Sequence, residues 1–206
     1  MTLDLAIDEL EEILKGGHGV EESEYRSKRR SASDSLQAIA CTESKEAEKA
    51  WNILEEAVTE SDFRVALQAS LALAYTAASS EEDWEKAVEI YEEAVSSSDR
   101  QTRIAAVDGL RKALDVNPEV AGDAVGLFGT AARTGLHSIV EKYDDVQGVE
   151  EISSDQARRE RSSWKALAGL SEAVVYDMEA VKQVVDEDTI SLFLEACFED
   201  GAEKLF

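Results

Sequence analysis

Glu85-Lys86-Ala87-Val88-Glu89-Ile90-Tyr91-Glu92-Glu93-Ala94-Val95 repeats Glu48-Lys49-Ala50-Trp51-Asn52-Ile53-Leu54-Glu55-Glu56-Ala57-Val58 with eight identities at an offset of 37, Ala50 falling on Ala87. The same offset carries Ala87, Ile90, Tyr91 and Ala94 onto Ala124, Leu127, Phe128 and Ala131, and Leu10-Glu11-Glu12-Ile13-Leu14 is a degenerate copy of the shared ending. A fixed period of this length marks supersecondary units that cannot bury their apolar faces alone and stack on neighbours to do so. The paired glutamates recur with the repeat itself, as expected of a solvated helix face.

Working outward, a second helix type alternates with the first. Arg64-Val65-Ala66-Leu67-Gln68-Ala69-Ser70-Leu71 matches Arg103-Ile104-Ala105-Ala106-Val107-Asp108-Gly109-Leu110 at an offset of 39. Arg29 to Leu36 keeps the arginine and the Ser-Leu pair, and Trp164 to Leu170 keeps the ending of a small residue followed by leucine. Phe63, Ala66, Leu67, Leu71, Ala74 and Tyr75 form the apolar stripe expected of this helix type.

Short polar links carry helix-start chemistry. Ser61-Asp62, Ser80-Glu81-Glu82-Asp83 and Ser97-Ser98-Asp99 offer oxygens to first-turn N–H groups, and Asn117-Pro118 places proline where its missing N–H costs nothing. Links this short fold consecutive helices back antiparallel. The pattern predicts helices at about 3–15, 22–41, 45–59, 62–78, 82–96, 99–115, 119–140, 155–177 and 179–199. The expected organisation is a single all-α domain over 1–206: a capping pair at 1–42, the clearest repeats at 45–135, an acidic loop at 141–154 and a C-terminal capping pair at 155–206.

Leu54-Glu55-Glu56-Ala57-Val58 running through Ser61-Asp62 to Arg64-Val65-Ala66, and Tyr91-Glu92-Glu93-Ala94-Val95 running to Arg103-Ile104-Ala105-Ala106, resemble HEAT repeats. The resemblance is good over residues 45–135 and loose at both ends. It implies a right-handed α-solenoid of antiparallel helix pairs, its second helices lining a concave face used mostly for binding proteins. Leu71-Ala72-Leu73-Ala74-Tyr75 followed by Trp84-Glu85-Lys86-Ala87 also resembles the tetratricopeptide repeat. That family has a period of about 34 residues and favours proline at repeat ends, which this chain does not match.

Composition agrees with a folded helical chain: 44% hydrophobic residues, 32% charged and one proline in 206 residues. The formal net charge of −24 repels nucleic-acid phosphates and anionic membranes and attracts basic proteins. It also resembles the surface of proteins from extreme halophiles, since at about 1 M salt a Debye length of ~3 Å screens the repulsion between carboxylates. Salt adaptation is the reading preferred here. Cys41 and Cys197 lie in helical patterns and read as small buried residues, with no CxxC. The first residues, Met1 to Asp8, are acidic and amphipathic, unlike a signal peptide, and no apolar run reaches the ~20 residues of a membrane span. A cytoplasmic protein is expected.

Basic residues are few, yet they cluster. Arg26, Lys28, Arg29 and Arg30 form one group, Arg158, Arg159 and Arg161 another, and Arg64 and Arg103 hold equivalent positions between them. All fall near the starts of second-type helices, so stacking would bring them toward one edge. The binding reading is a basic stripe for a protein or acidic peptide partner, or for a phosphate-bearing ligand, with Trp164 as an aromatic anchor. The competing reading pairs Arg64 and Arg103 with acids such as Asp62 and Asp99 between repeats. Trp51 and Trp84 read as packing residues. No aromatic residues alternate with the cations, which argues against nucleic acid.

Two histidines, His18 and His137, have no companion ligands at metal spacing and no nucleophile beside them. No glycine loop matches a phosphate fingerprint. Neither an enzyme nor a cofactor-binding or metal site is expected. Phe193, Leu194, Phe198, Leu205 and Phe206 are the candidates for self-association through the end helices.

Overall fold

The computed structural model describes residues 3–16, 22–60, 62–144, 165, 166, 168–170, 173 and 176–185. Among them the regular structure is helical throughout: α1 (Leu3–Lys15), α2 (Glu22–Ala40), α3 (Lys45–Val58), α4 (Phe63–Ala77), α5 (Glu81–Ser96), α6 (Arg100–Val116), a 3-10 turn (Pro118–Val120), α7 (Ala121–Asp144) and α8 (Met178–Val184). No helix among the described residues is long and apolar enough to cross a membrane.

The expected start signals operate. Asp62 accepts from the Arg64 N–H at 2.8 Å, Ser80 from Asp83 at 3.3 Å, and Asn117 from Glu119 at 3.0 Å. The Asp99 carboxylate accepts from both the backbone N–H and the hydroxyl of Thr102, at 3.0 and 2.8 Å. These bonds satisfy donors that have no intrahelical partner. α7 runs on to Asp144, into the segment expected to be a loop. The remainder of that loop, most of the 155–177 helix and everything beyond residue 185 lie outside the described residues.

Successive pairs α1–α2, α3–α4 and α5–α6 pack together, and α2, α4 and α6 pack side by side, α4 and α6 most extensively. On the other side α1 meets α3, and α5 meets α7, which also carries α8. One continuous core results, with Leu14, Leu36, Leu54, Leu73, Tyr91, Leu110 and Phe128 fully buried. Each burial of a leucine-sized side chain contributes about 1.5–3 kcal/mol.

Small residues allow the close approach of the second helices. Ser33, Ser70 and Gly109 recur in α2, α4 and α6 at offsets of 37 and 39, and all three are buried. The Ser33 hydroxyl donates to the Gln68 carbonyl across α2 and α4 at 2.9 Å. Tyr91 donates from α5 to the Ser70 carbonyl at 2.8 Å, and burial pushes its phenol pKa up, so it stays a donor. Further bonds link repeats at a spacing of 39: Asn117 Nδ2 to the Ala78 carbonyl at 3.1 Å, and Trp84 Nε1 to Asp123 at 2.9 Å.

Two local expectations need correction. Cys41 is exposed, because α2 ends at Ala40 and leaves the thiol in the link to α3. In α4, Leu67, Leu71 and Tyr75 are not the buried stripe. α4 is flanked by α2, α3, α5 and α6, so Val65, Ala66, Ala69, Ser70, Ala72, Leu73 and Ala74 are buried on several sides at once. Tyr75 is left 40% exposed.

Capping carries a pH dependence. Burial alone would raise the carboxyl pKa of Asp62, but the Arg64 N–H and the Arg29 guanidinium outweigh it and hold it below its usual 3.8. Asp99 is likewise lowered, the Thr102 bonds outweighing burial. A depressed folded pKa contributes stability that is complete above the unfolded value and lost as pH falls through the folded one. Urea unfolding from about pH 5 down to about pH 2 should therefore show a loss of stability that shrinks in an Asp62→Asn/Asp99→Asn variant. An unchanged pH slope in that variant would remove the capping carboxylates from the account.

Candidate functional site

Among the described residues, two of the cations expected on one stripe are buried. Arg29 is buried, its Nη2 3.1 Å from Asp62, so α2 is tied to the carboxylate that caps α4. Arg103 is 2% exposed and donates from Nη1 to the Ser97 and Ser98 carbonyls at 2.7 and 3.1 Å, closing the α5–α6 link. Neither guanidinium faces outward. Lys28, Arg30 and Arg64 are exposed. Arg26 lies in α2 with its side chain outside the described residues, and Arg158, Arg159, Arg161 and Trp164 lie outside them altogether.

A surface hollow does form over α2, α4 and α6. Arg30, Asp34, Leu71, Tyr75 and Lys112 line one part of about 370 Å³, and Leu67, Leu71, Asp108, Arg111 and Lys112 line an adjoining part of about 420 Å³. The two share Leu71 and Lys112, so they make one surface with an apolar floor and cations at its edge. Lys112 Nζ sits 4.9 Å from the Tyr75 ring centroid, a cation–π contact. Tyr75 foremost, and Asp115 at 3.4 Å, hold the Lys112 pKa above its usual value against the lowering effect of burial. Arg30 Nε lies 3.9 Å from Asp34, and Lys165 pairs with Asp108. The cations are thus balanced by acids: three of each sign line the combined hollow.

Of the expected site residues whose side chains are described, Arg30 alone lines this surface. Arg111, Lys112 and Tyr75 were not singled out as site residues from the sequence, and the repeat gave no signal for them: at the 39-residue offset of these two helices Tyr75 falls on Leu114, not on Lys112. Among the described residues no group of three or more His, Cys, Asp or Glu side chains is placed to hold a metal ion.

No family model and no curated protein matches the chain. Among solved structures, an engineered protein from the Northeast Structural Genomics Consortium is similar over 96% of this chain and 97% of its own, at 14% identity and a TM-score of 0.36. A likeness that slight carries no argument about fold or function.

Proposed function

We propose that the chain is a non-enzymatic protein-interaction scaffold, a short right-handed α-solenoid of HEAT-like helix pairs whose second helices present the binding face. The repeat spacing supports the solenoid reading, as do the cross-links at that spacing from Trp84 to Asp123 and from Asn117 to Ala78. The observation that carries the binding reading is Tyr75, exposed beneath Lys112 and beside Leu71 on the apolar floor of the hollow. Tyrosine and arginine around an apolar floor are the residues that dominate protein interfaces. Arg30, Arg111 and Lys112 can donate to carboxylates that a peptide partner sets around one apolar side chain, although Asp34, Asp108 and Asp115 leave the hollow with no net charge.

Calorimetric titration with an acidic peptide carrying a central leucine or phenylalanine tests this. Tyr75→Ala with Leu71→Ser should weaken binding at least tenfold, about 1.4 kcal/mol, while leaving helicity intact. Equal affinity in the variant would end the assignment of this face. A second reading, a subunit that assembles with its own copies, draws on Tyr176 and Met178, which are 50% and 53% exposed. Light scattering of a Tyr176→Ser/Met178→Ser variant distinguishes the two, since only self-assembly predicts a drop in mass.

A further inference from the structure

A larger hollow, of about 750 Å³, lies between α3 and α5 and shares no residue with the surface over α2, α4 and α6. Its floor holds Ala47 and Trp51, both half-buried, and the edge of Ile90, which is 7% exposed. Glu43, Glu48, Glu55, Asp83, Glu89 and Glu93 surround that floor, against one cation, Lys86. Six acids and one lysine leave a net charge of −5. Lys86 is itself held by Glu82 at 3.1 Å and Asp83 at 3.8 Å, and its pKa is raised, by Glu82 first.

Two features decide what such a groove fits. The carboxylates do not converge on a point: no cluster able to hold a metal ion exists among the described residues. They are strung along two helices instead, Glu48 and Glu55 on α3 and Glu89 and Glu93 on α5, over about 10 Å of helix axis. That distribution complements cations carried at intervals along a chain. An aromatic and an aliphatic side chain between the acidic rows provide the apolar contact that charge alone lacks, the arrangement of a groove that accepts an amphipathic helix.

We propose that the α3–α5 groove docks a basic helix of a partner protein. Lysine or arginine at helical three- and four-residue steps faces the two glutamate rows, and one apolar side chain rests on Trp51 and Ile90. The site is distinct from the hollow over α2, α4 and α6 and takes a ligand of opposite charge, so the two assignments stand or fall separately.

The test is calorimetric titration at about 0.15 M KCl, where the Debye length of ~8 Å suppresses the long-range field of the chain. The probe is a designed Leu/Lys amphipathic helix of about 15 residues. Saturable one-to-one binding is expected, weakened at least tenfold by Glu48→Lys/Glu89→Lys/Glu93→Lys. Glu85→Lys/Glu92→Lys/Glu119→Lys makes the same charge change at exposed positions outside the groove and should alter affinity less than about threefold. Trp51→Ala, with circular dichroism unchanged, should also weaken binding, and Trp51→Phe should restore most of it. Equal losses from the two charge variants would overturn the proposal in favour of unlocalised attraction. Undiminished binding of a peptide with its leucines changed to serine would overturn the apolar contact.

Discussion

Replacing Gly109 with valine should lower the unfolding free energy by about 3 kcal/mol, and replacing it with alanine by about 1–2 kcal/mol, although alanine is the better helix former. A Cβ at Gly109 would lie 2.7 Å from the Tyr91 hydroxyl, 2.9 Å from Ser70 Cβ and 2.9 Å from the Ser70 carbonyl oxygen. The hydroxyl could turn aside, but the carbonyl belongs to the α4 backbone, so α4 and α6 must separate. Gly126 supplies the opposite sign within the same fold. It is exposed in α7 with nothing within 4 Å of its Cβ position, so Gly126→Ala should add about 1 kcal/mol through helix propensity alone. Urea midpoints with an unchanged m-value read both effects. Stabilisation by alanine at Gly109 would mean that the second helices are not in the close contact described.

Phe128→Ala should be the most damaging single truncation, at about 3–5 kcal/mol. Its ring is fully buried in α7 and fills the space that Gly169 leaves by having no side chain, where a Cβ would meet ring carbons at 2.6, 2.8 and 2.9 Å. For a chain of this size the loss corresponds to a fall of roughly 6–20 °C in melting temperature. Tyr91 holds the equivalent place one unit earlier and allows volume and hydrogen bonding to be separated. Tyr91→Phe keeps the ring and removes only the bond to the Ser70 carbonyl, so it should cost about 1 kcal/mol. Comparable losses in Phe128→Ala and Tyr91→Phe would show that the bond, and not the packed ring, holds these positions.

The helices were legible because each is written in a short window: eight identities between two segments, and Asp62, Ser80, Asp99 and Asn117 at the predicted starts. What escaped the sequence depends on neighbours supplied from elsewhere in the chain. Arg29 has the composition of a surface cluster, yet it is buried, paired to the partly exposed Asp62, 33 residues later. Arg103 is taken up by carbonyls at the end of the preceding helix. Leu67, Leu71 and Tyr75 obey helical spacing perfectly well. They stay partly exposed because alanines fill the sides of α4 that pack against four other helices, and periodicity cannot tell a helix with one buried face from one with several. Of the hollow over α2, α4 and α6 the sequence offered Arg30 as a site residue but not Lys112 with Tyr75, since those two meet only after stacking.

On the solenoid reading proposed above, the run of Ser33, Ser70 and Gly109 bears on how such an array lengthens or stops. A duplicated pair would then bring its own small residue to the seam between second helices. A single later substitution to a bulky side chain at that one position would refuse the next pair. Growth by copying and arrest by one enlarged residue are then two settings of the same site, and the number of units becomes a trait that ordinary point mutation can reset.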